Sequence, residues 1–275
     1  MAISTSWSHW WTISIALLVS SILAGTAAPA QTLRPARAVY DLHLNKDREN
    51  AGIVAAKGRL VVEFSEDCAG FIFNQGFVSR ITATEGRDIV GDMQASIWES
   101  RDGRALRFNL VNRINGKVVE REQGRANLDS GGGGDAVWSL PKARRLALPK
   151  GTLFPVSHNR EVLRRALQGS RGFEVPLFDG SNDAGYYHAS VFIGAQVKNG
   201  AERATKSAPV PKDQPSWPVR LAYYHYDNAL GVPEFEIGYT LYGDGTIAAV
   251  KLDYPDFGLI GKLVELQYLE QPDCD

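Results

Sequence analysis

The sequence predicts a mainly β protein: a single large antiparallel sheet that curls on itself, with one short helix packed on or into it. Three observations point there. Apolar residues recur with period two: Leu60, Val62 and Phe64 alternate with Val61, Glu63 and Ser65, and Leu106, Phe108 and Leu110 alternate with Arg107, Asn109 and Val111. Farther on, Phe235, Ile237, Tyr239 and Leu241 alternate with Glu236, Gly238 and Thr240. Turn dipeptides, Asp102-Gly103, Asn115-Gly116 and Asp244-Gly245, punctuate these runs. Only one stretch of the chain beyond its first 30 residues carries helical spacing. Roughly ten or more strands at such intervals favour a sheet that hides its edges by winding around itself.

In chain order, residues 1–30 hold no Lys, Arg, Asp or Glu, and an apolar run from Ile13 to Leu23 gives way to Ala28-Pro29-Ala30. This reads as a secretory signal peptide cleaved after Ala30, although its first residues lack the usual basic charge. The alternative is an uncleaved anchor, but the apolar run is shorter than the ~20 residues a span needs. With no Cys near the cleavage site, a lipid anchor is not expected. Residues 31–275 then read as one domain exported to the periplasm.

Asn115-Gly116 lies between Phe108–Val111 and Val118-Val119, a strong hairpin signal because both turn residues accept positive φ. Gly131 to Gly134 reads as a flexible loop tip. The helix is expected to open with Ser157 as N-cap, run through Gln168 and stop at Gly169, with Val162, Leu163, Ala166 and Leu167 forming one apolar stripe. Arg160, Arg164 and Arg165 are left to face solvent or a lipid head group. Residues 198–218, with Pro209, Pro211, Pro215 and Pro218 among polar side chains, read as a surface loop inserted in the same domain.

Lys and Arg number 30 against 31 Asp and Glu, so the net charge of −1 supplies no field to attract a phosphate backbone, and a nucleic-acid partner is not expected. There is no Gly-x-Ser-x-Gly, His-Glu-x-x-His, Walker or dinucleotide glycine pattern, and no metal-spaced Cys/His cluster. No catalytic residue, metal ligand or cofactor is therefore assigned. His158, after Phe154-Pro155, reads as structural. His225, between Tyr224 and Tyr226 and followed by Asp227, resembles a base oriented by a carboxylate, but no nucleophile accompanies it. Asp253-Tyr254-Pro255-Asp256 offers two carboxylates, yet Pro255 marks it as a turn. Cys68 and Cys274 are the only cysteines. In an oxidising compartment they read as one structural disulfide, with two unpaired thiols as the alternative.

Several short segments carry a family resemblance: Val39-Tyr40-Asp41-Leu42-His43-Leu44, Gly58, Cys68, Trp98-Glu99-Ser100 with Asp102-Gly103, Leu148 through Pro155 leading to His158, Phe178-Asp179-Gly180-Ser181, and Cys274. In this order they resemble the cell-envelope integrity protein EipB family. The resemblance implies a periplasmic protein whose sheet is wound as a β-spiral or open barrel, similar to the fold of outer-membrane lipoprotein carriers. It also implies a disulfide between Cys68 and Cys274, resistance to envelope stress without enzymatic activity, and a link to a periplasmic tetratricopeptide-repeat protein. Two functional expectations follow. One is a non-catalytic protein acting through contacts with envelope proteins. The other is a carrier of a lipid or other apolar ligand within the curved sheet, with Phe71-Ile72-Phe73 and Tyr223-Tyr224 as aromatic lining and the helix as its plug.

Overall fold

The computed structural model describes residues 33–48, 50–181, 185–198, 210–211, 214–227 and 231–274. The expected leader and most of the Pro-rich segment lie outside the described residues.

Among the described residues fourteen strands build one sheet: β1 (Ala36–Leu44), β2 (Ile53–Glu66), β3 (Gly70–Ala83), β4 (Asp88–Ser100), β5 (Ala105–Ile114), β6 (Lys117–Leu128), β7 (Gly134–Leu140), β8 (Arg144–Leu148), β9 (Gly172–Leu177), β10 (Tyr187–Ile193), β11 (Ser216–His225), β12 (Phe235–Tyr242), β13 (Ile247–Asp253) and β14 (Gly258–Tyr268). The helix α1 (Pro155–Leu167) lies between β8 and β9 in the chain.

Across the sheet the strands run from β8 in descending order to β1, then from β14 in descending order to β9, every neighbouring pair antiparallel. Each half is a meander of adjacent hairpins. The halves join where β1 pairs with β14, Leu42 opposite Gly261. The first and last strands of the chain therefore sit in the middle, while the edges, β8 and β9, are consecutive in sequence and separated by α1. Among the described residues no ladder joins these edges. A single parallel bridge, Leu153 to Leu177, ties the segment before α1 to β9.

Local chemistry explains the hairpins. Asn115 and Gly116 have φ of 51° and 78°, the conformation expected of the two-residue turn between β5 and β6. The alternation places Leu106, Phe108 and Leu110 inside, each at most 6% exposed. One cluster of buried residues gathers Tyr40, Leu42, Tyr187, Leu221, Tyr239 and Leu263 with Val162, Leu163 and Ala166 of α1. A second gathers Ile97, Leu106, Phe108, Trp138, Phe154 and Phe178.

Four local expectations are corrected. The helix starts earlier, with Phe154 at the N-cap and Pro155 in the first turn, because the fixed φ of proline suits that position and Ser157 is already helical. Leu167 is 37% exposed and does not join the buried stripe, since the helix ends there. Gly134 belongs to β7, where a Cβ would lie 1.9 Å from the Asn127 carbonyl oxygen, so glycine serves close strand approach. Trp217 and Pro218 belong to β11. Pro218 is its third residue, opposite Thr240, and its carbonyl accepts the Gly194 amide.

Candidate functional site

The two hydrophobic clusters do not fill the curved sheet. Between them lies a cavity of about 480 Å³, lined by residues of β2–β6 on one side and β10–β13 on the other. That residues from both meanders face one volume shows the sheet to be wound on itself. Leu60, Val62, Phe73, Phe77, Met93 and Ile237 point into the cavity and are only partly buried, because no neighbour covers them.

An aromatic wall runs along β10–β13. Tyr223 stacks on Phe235 with ring centroids 4.4 Å apart, Tyr187 meets both edge-on at 5.6 and 5.7 Å, and Tyr254 continues the row 6.1 Å from Phe235. Burial pushes the Tyr40, Tyr223 and Tyr239 phenols well above the usual tyrosine range, so all three stay neutral. The Tyr40 hydroxyl donates to the Ile247 carbonyl at 2.8 Å.

The segment Phe178-Asp179-Gly180-Ser181 enters beside this wall. Phe178 is fully buried and meets the edges of Phe108 and Trp138 at 5.6 and 5.5 Å. Gly180, at φ 74°, passes so close to Phe108 that an added Cβ would lie 2.4 Å from its ring, and so both the conformation and the space require glycine. The turn presents Asp179 to the cavity, where its carboxylate accepts the Ser181 amide at 2.8 Å. Burial raises the Asp179 pKa, and its charge in turn helps raise that of Tyr223.

At the opposite wall, Pro155 and Asn159 of α1 line the cavity. The helix is seated by Glu99 of β4, which is 1% exposed. Its carboxylate accepts the amides of Val156 and Ser157 at 2.8 and 2.9 Å, together with the Ser157 hydroxyl. Burial pushes the Glu99 pKa up, against these three bonds and the Arg160 charge, which favour the ionised form.

Of the aromatic lining expected from sequence, Phe73 and Tyr223 face the cavity. Phe71 instead stacks on Phe64 at 5.9 Å, and Tyr224 points to the other face of β11, because successive strand residues alternate sides. Arg164 and Arg165 are engaged by Glu161, while Arg160 lies over the Phe71 ring at 5.5 Å. His158 is buried, its Nε2 without a hydrogen-bond partner, and burial lowers its pKa to about 4. His225 does pair with Asp227, Nδ1 to Oδ1 3.0 Å, but the pair lies at the end of β11 and outside the cavity. Tyr254 belongs to a turn closed by its amide on the Phe257 carbonyl, and Asp253 is engaged by Arg48 and Arg220. Cys68 and Cys274 lie with Cα atoms 5.6 Å apart, inside the span of a disulfide. Sequence reasoning missed the capping role of Glu99 and the cavity position of Asp179. Both sit in segments that carry the family resemblance, but nothing local reveals what they face.

Comparison with known proteins agrees with this architecture. A crystal structure of a β-barrel-like protein of a domain of unknown function from Brucella abortus superimposes with a TM-score of 0.79 at 33% sequence identity, covering 87% of this chain and 99% of that one. The cell envelope integrity protein EipB of Brucella abortus (strain 2308) is 35% identical over 247 residues, spanning 88% of this chain and 87% of its own. The EipB-like family profile matches residues 27–270, so the segments carrying Glu99 and Asp179 and the whole wound sheet fall within one match. The chain belongs to the EipB-like family.

Proposed function

We propose that this protein maintains cell-envelope integrity from the periplasm as a binder, not an enzyme, and that it does so by holding an apolar ligand inside the wound sheet. The relative's name supports the envelope role. The cavity carries the finer reading. Interiors that serve only stability are close-packed. Here about 480 Å³ stays open against partly exposed aromatic and aliphatic side chains, within the roughly 300–1,000 Å³ of ligand sites. Contacts with envelope proteins, a tetratricopeptide-repeat protein among them, remain compatible with this reading, but alone they leave the cavity without a role.

The test is native mass spectrometry of protein taken from the periplasm, paired with displacement of a fluorescent fatty-acid probe by membrane lipid extract. A co-purifying apolar adduct and competitive displacement are expected. A protein that carries no adduct and binds no probe refutes the carrier reading. His225→Ala is expected to protect cells from envelope stress as well as wild type does, and loss of protection in a fully stable variant refutes the non-catalytic one.

A further inference from the structure

One end of the β2–β6 region exposes aliphatic side chains. Val54 at the start of β2 is 56% exposed, Ile89 on β4 and Ile114 on β5 are each 40% exposed, and Val118 and Val119 on β6 are 56% and 55% exposed. Hydrogen bonds hold these residues together at one end of the strands. The Thr84 amide of the β3–β4 turn donates to the Gly52 carbonyl beside Val54, and Asn115 of the β5–β6 turn exchanges bonds with Val90 beside Ile89. Ile89 and Ile114 stand four residues from Met93 and Leu110 on unbroken stretches of β4 and β5, hence on the cavity side of the sheet. At these two positions the apolar inner face continues outward as an uncovered lip, while Val118, opposite Arg113, extends the exposed aliphatics to the other face of the same lip.

Charge at this lip is unbalanced. Arg80 pairs with Asp88, Arg87 with Glu85 and Arg113 with Asp92. Lys117, in the β5–β6 hairpin, and Arg121, four residues on, are exposed and have no carboxylate partner among the described residues; Glu120 between them lines the cavity and accepts from Asn112. A group of exposed aliphatics flanked by two uncompensated cations suits a surface that is apolar below and anionic above.

We propose that this lip, made by the β3–β4 and β5–β6 hairpins with the start of β2, docks the protein on an anionic lipid bilayer. Val118, Val119, Ile89 and Ile114 enter the acyl boundary, and Lys117 and Arg121 meet lipid phosphates. The proposal goes beyond ligand binding and does not depend on it, since docking needs only the outer ends of the hairpins.

Flotation of the full chain lacking its leader, with vesicles of phosphatidylethanolamine and phosphatidylglycerol, tests it. Wild type is expected to float with these vesicles, more weakly with phosphatidylcholine alone and more weakly at high salt. The double variant Val118→Asp, Val119→Asp is expected to lose about tenfold or more in partitioning, and Lys117→Glu to weaken it through charge alone. Phe192→Asp, on β10 away from the lip, is expected to bind like wild type. Wild type that stays with the bulk solution, lip variants that bind within about twofold of it, or equal loss in the Phe192 variant would each overturn docking. So would lip variants that only convert a self-associated form to monomer, because the lip would then contact a second copy. Lys117→Glu, at an exposed turn, keeps the test decisive if the double variant misfolds, and retained fatty-acid probe binding separates lost docking from a lost cavity.

Discussion

Glu99 on β4 holds the first turn of α1 through Ser157, 58 residues later in the chain, accepting both its amide and its hydroxyl. The helix supplies no capping side chain of its own, so a buried carboxylate from the sheet satisfies amides that its N-terminus leaves open. The turn at Gly103 allows the approach. With φ 69°, it passes so near that a Cβ there would lie 2.4 Å from the Ser157 hydroxyl. This one carboxylate fixes the helix that follows β8 and precedes β9 in the chain.

Removing that carboxylate should therefore loosen the helix more than an ordinary cap substitution. Glu99→Ala is expected to lower stability by about 3 kcal/mol, since buried amides lose a charged acceptor. Glu99→Gln keeps one acceptor and should lose less. Urea unfolding followed by tryptophan fluorescence checks both; equal stability of the alanine variant and wild type would exclude the seating role.

Buried His158 makes stability depend on pH. Its folded pKa is about 4, against about 6.5 in the unfolded chain, so between these values the unfolded state binds more protons. The stability is fully present above about pH 6.5 and is lost as pH falls toward 4, by up to about 3 kcal/mol. His158→Leu should flatten that part of the curve. Denaturation midpoints of both proteins at neutral and mildly acidic pH measure it, and parallel curves would rule the effect out.

The nearness of Cys68 and Cys274 leads to a covalent prediction. Alkylation of denatured protein purified without reductant should label neither thiol, whereas two labelled thiols would show the bond absent. Cys68→Ser is expected to reduce stability by about 2–5 kcal/mol and to shorten survival against protease.

Filling the cavity should separate ligand binding from folding. Ala95 faces the open volume between Gln75 and Leu110 of the neighbouring strands. Ala95→Trp is expected to weaken fatty-acid probe binding by about tenfold or more while changing stability by less than about 3 kcal/mol. Unchanged probe affinity would place the bound probe elsewhere.

The chain's own pattern determined its strands, several of its turns and the helix α1, because these are local properties. Phe108 must face inward once Leu106 and Leu110 do, and Asn115-Gly116 can turn because both accept positive φ. The tertiary structure alone decided which of these elements meet. Leu42 lies opposite Gly261, and Glu99 beneath Ser157, through pairings that bring distant segments together. Phe71 and Phe73 look alike in sequence, yet only Phe73 reaches the cavity. Ser157 has the chemistry of an N-cap, but Pro155 starts the helix sooner and Glu99 takes the capping role. The sequence raised an open volume as one of two expectations and did not decide between them. Alternation tells which face a side chain takes, whereas an unfilled interior depends on how far the two meanders curl before β1 and β14 join them, and that distance is set by the packing of all fourteen strands together.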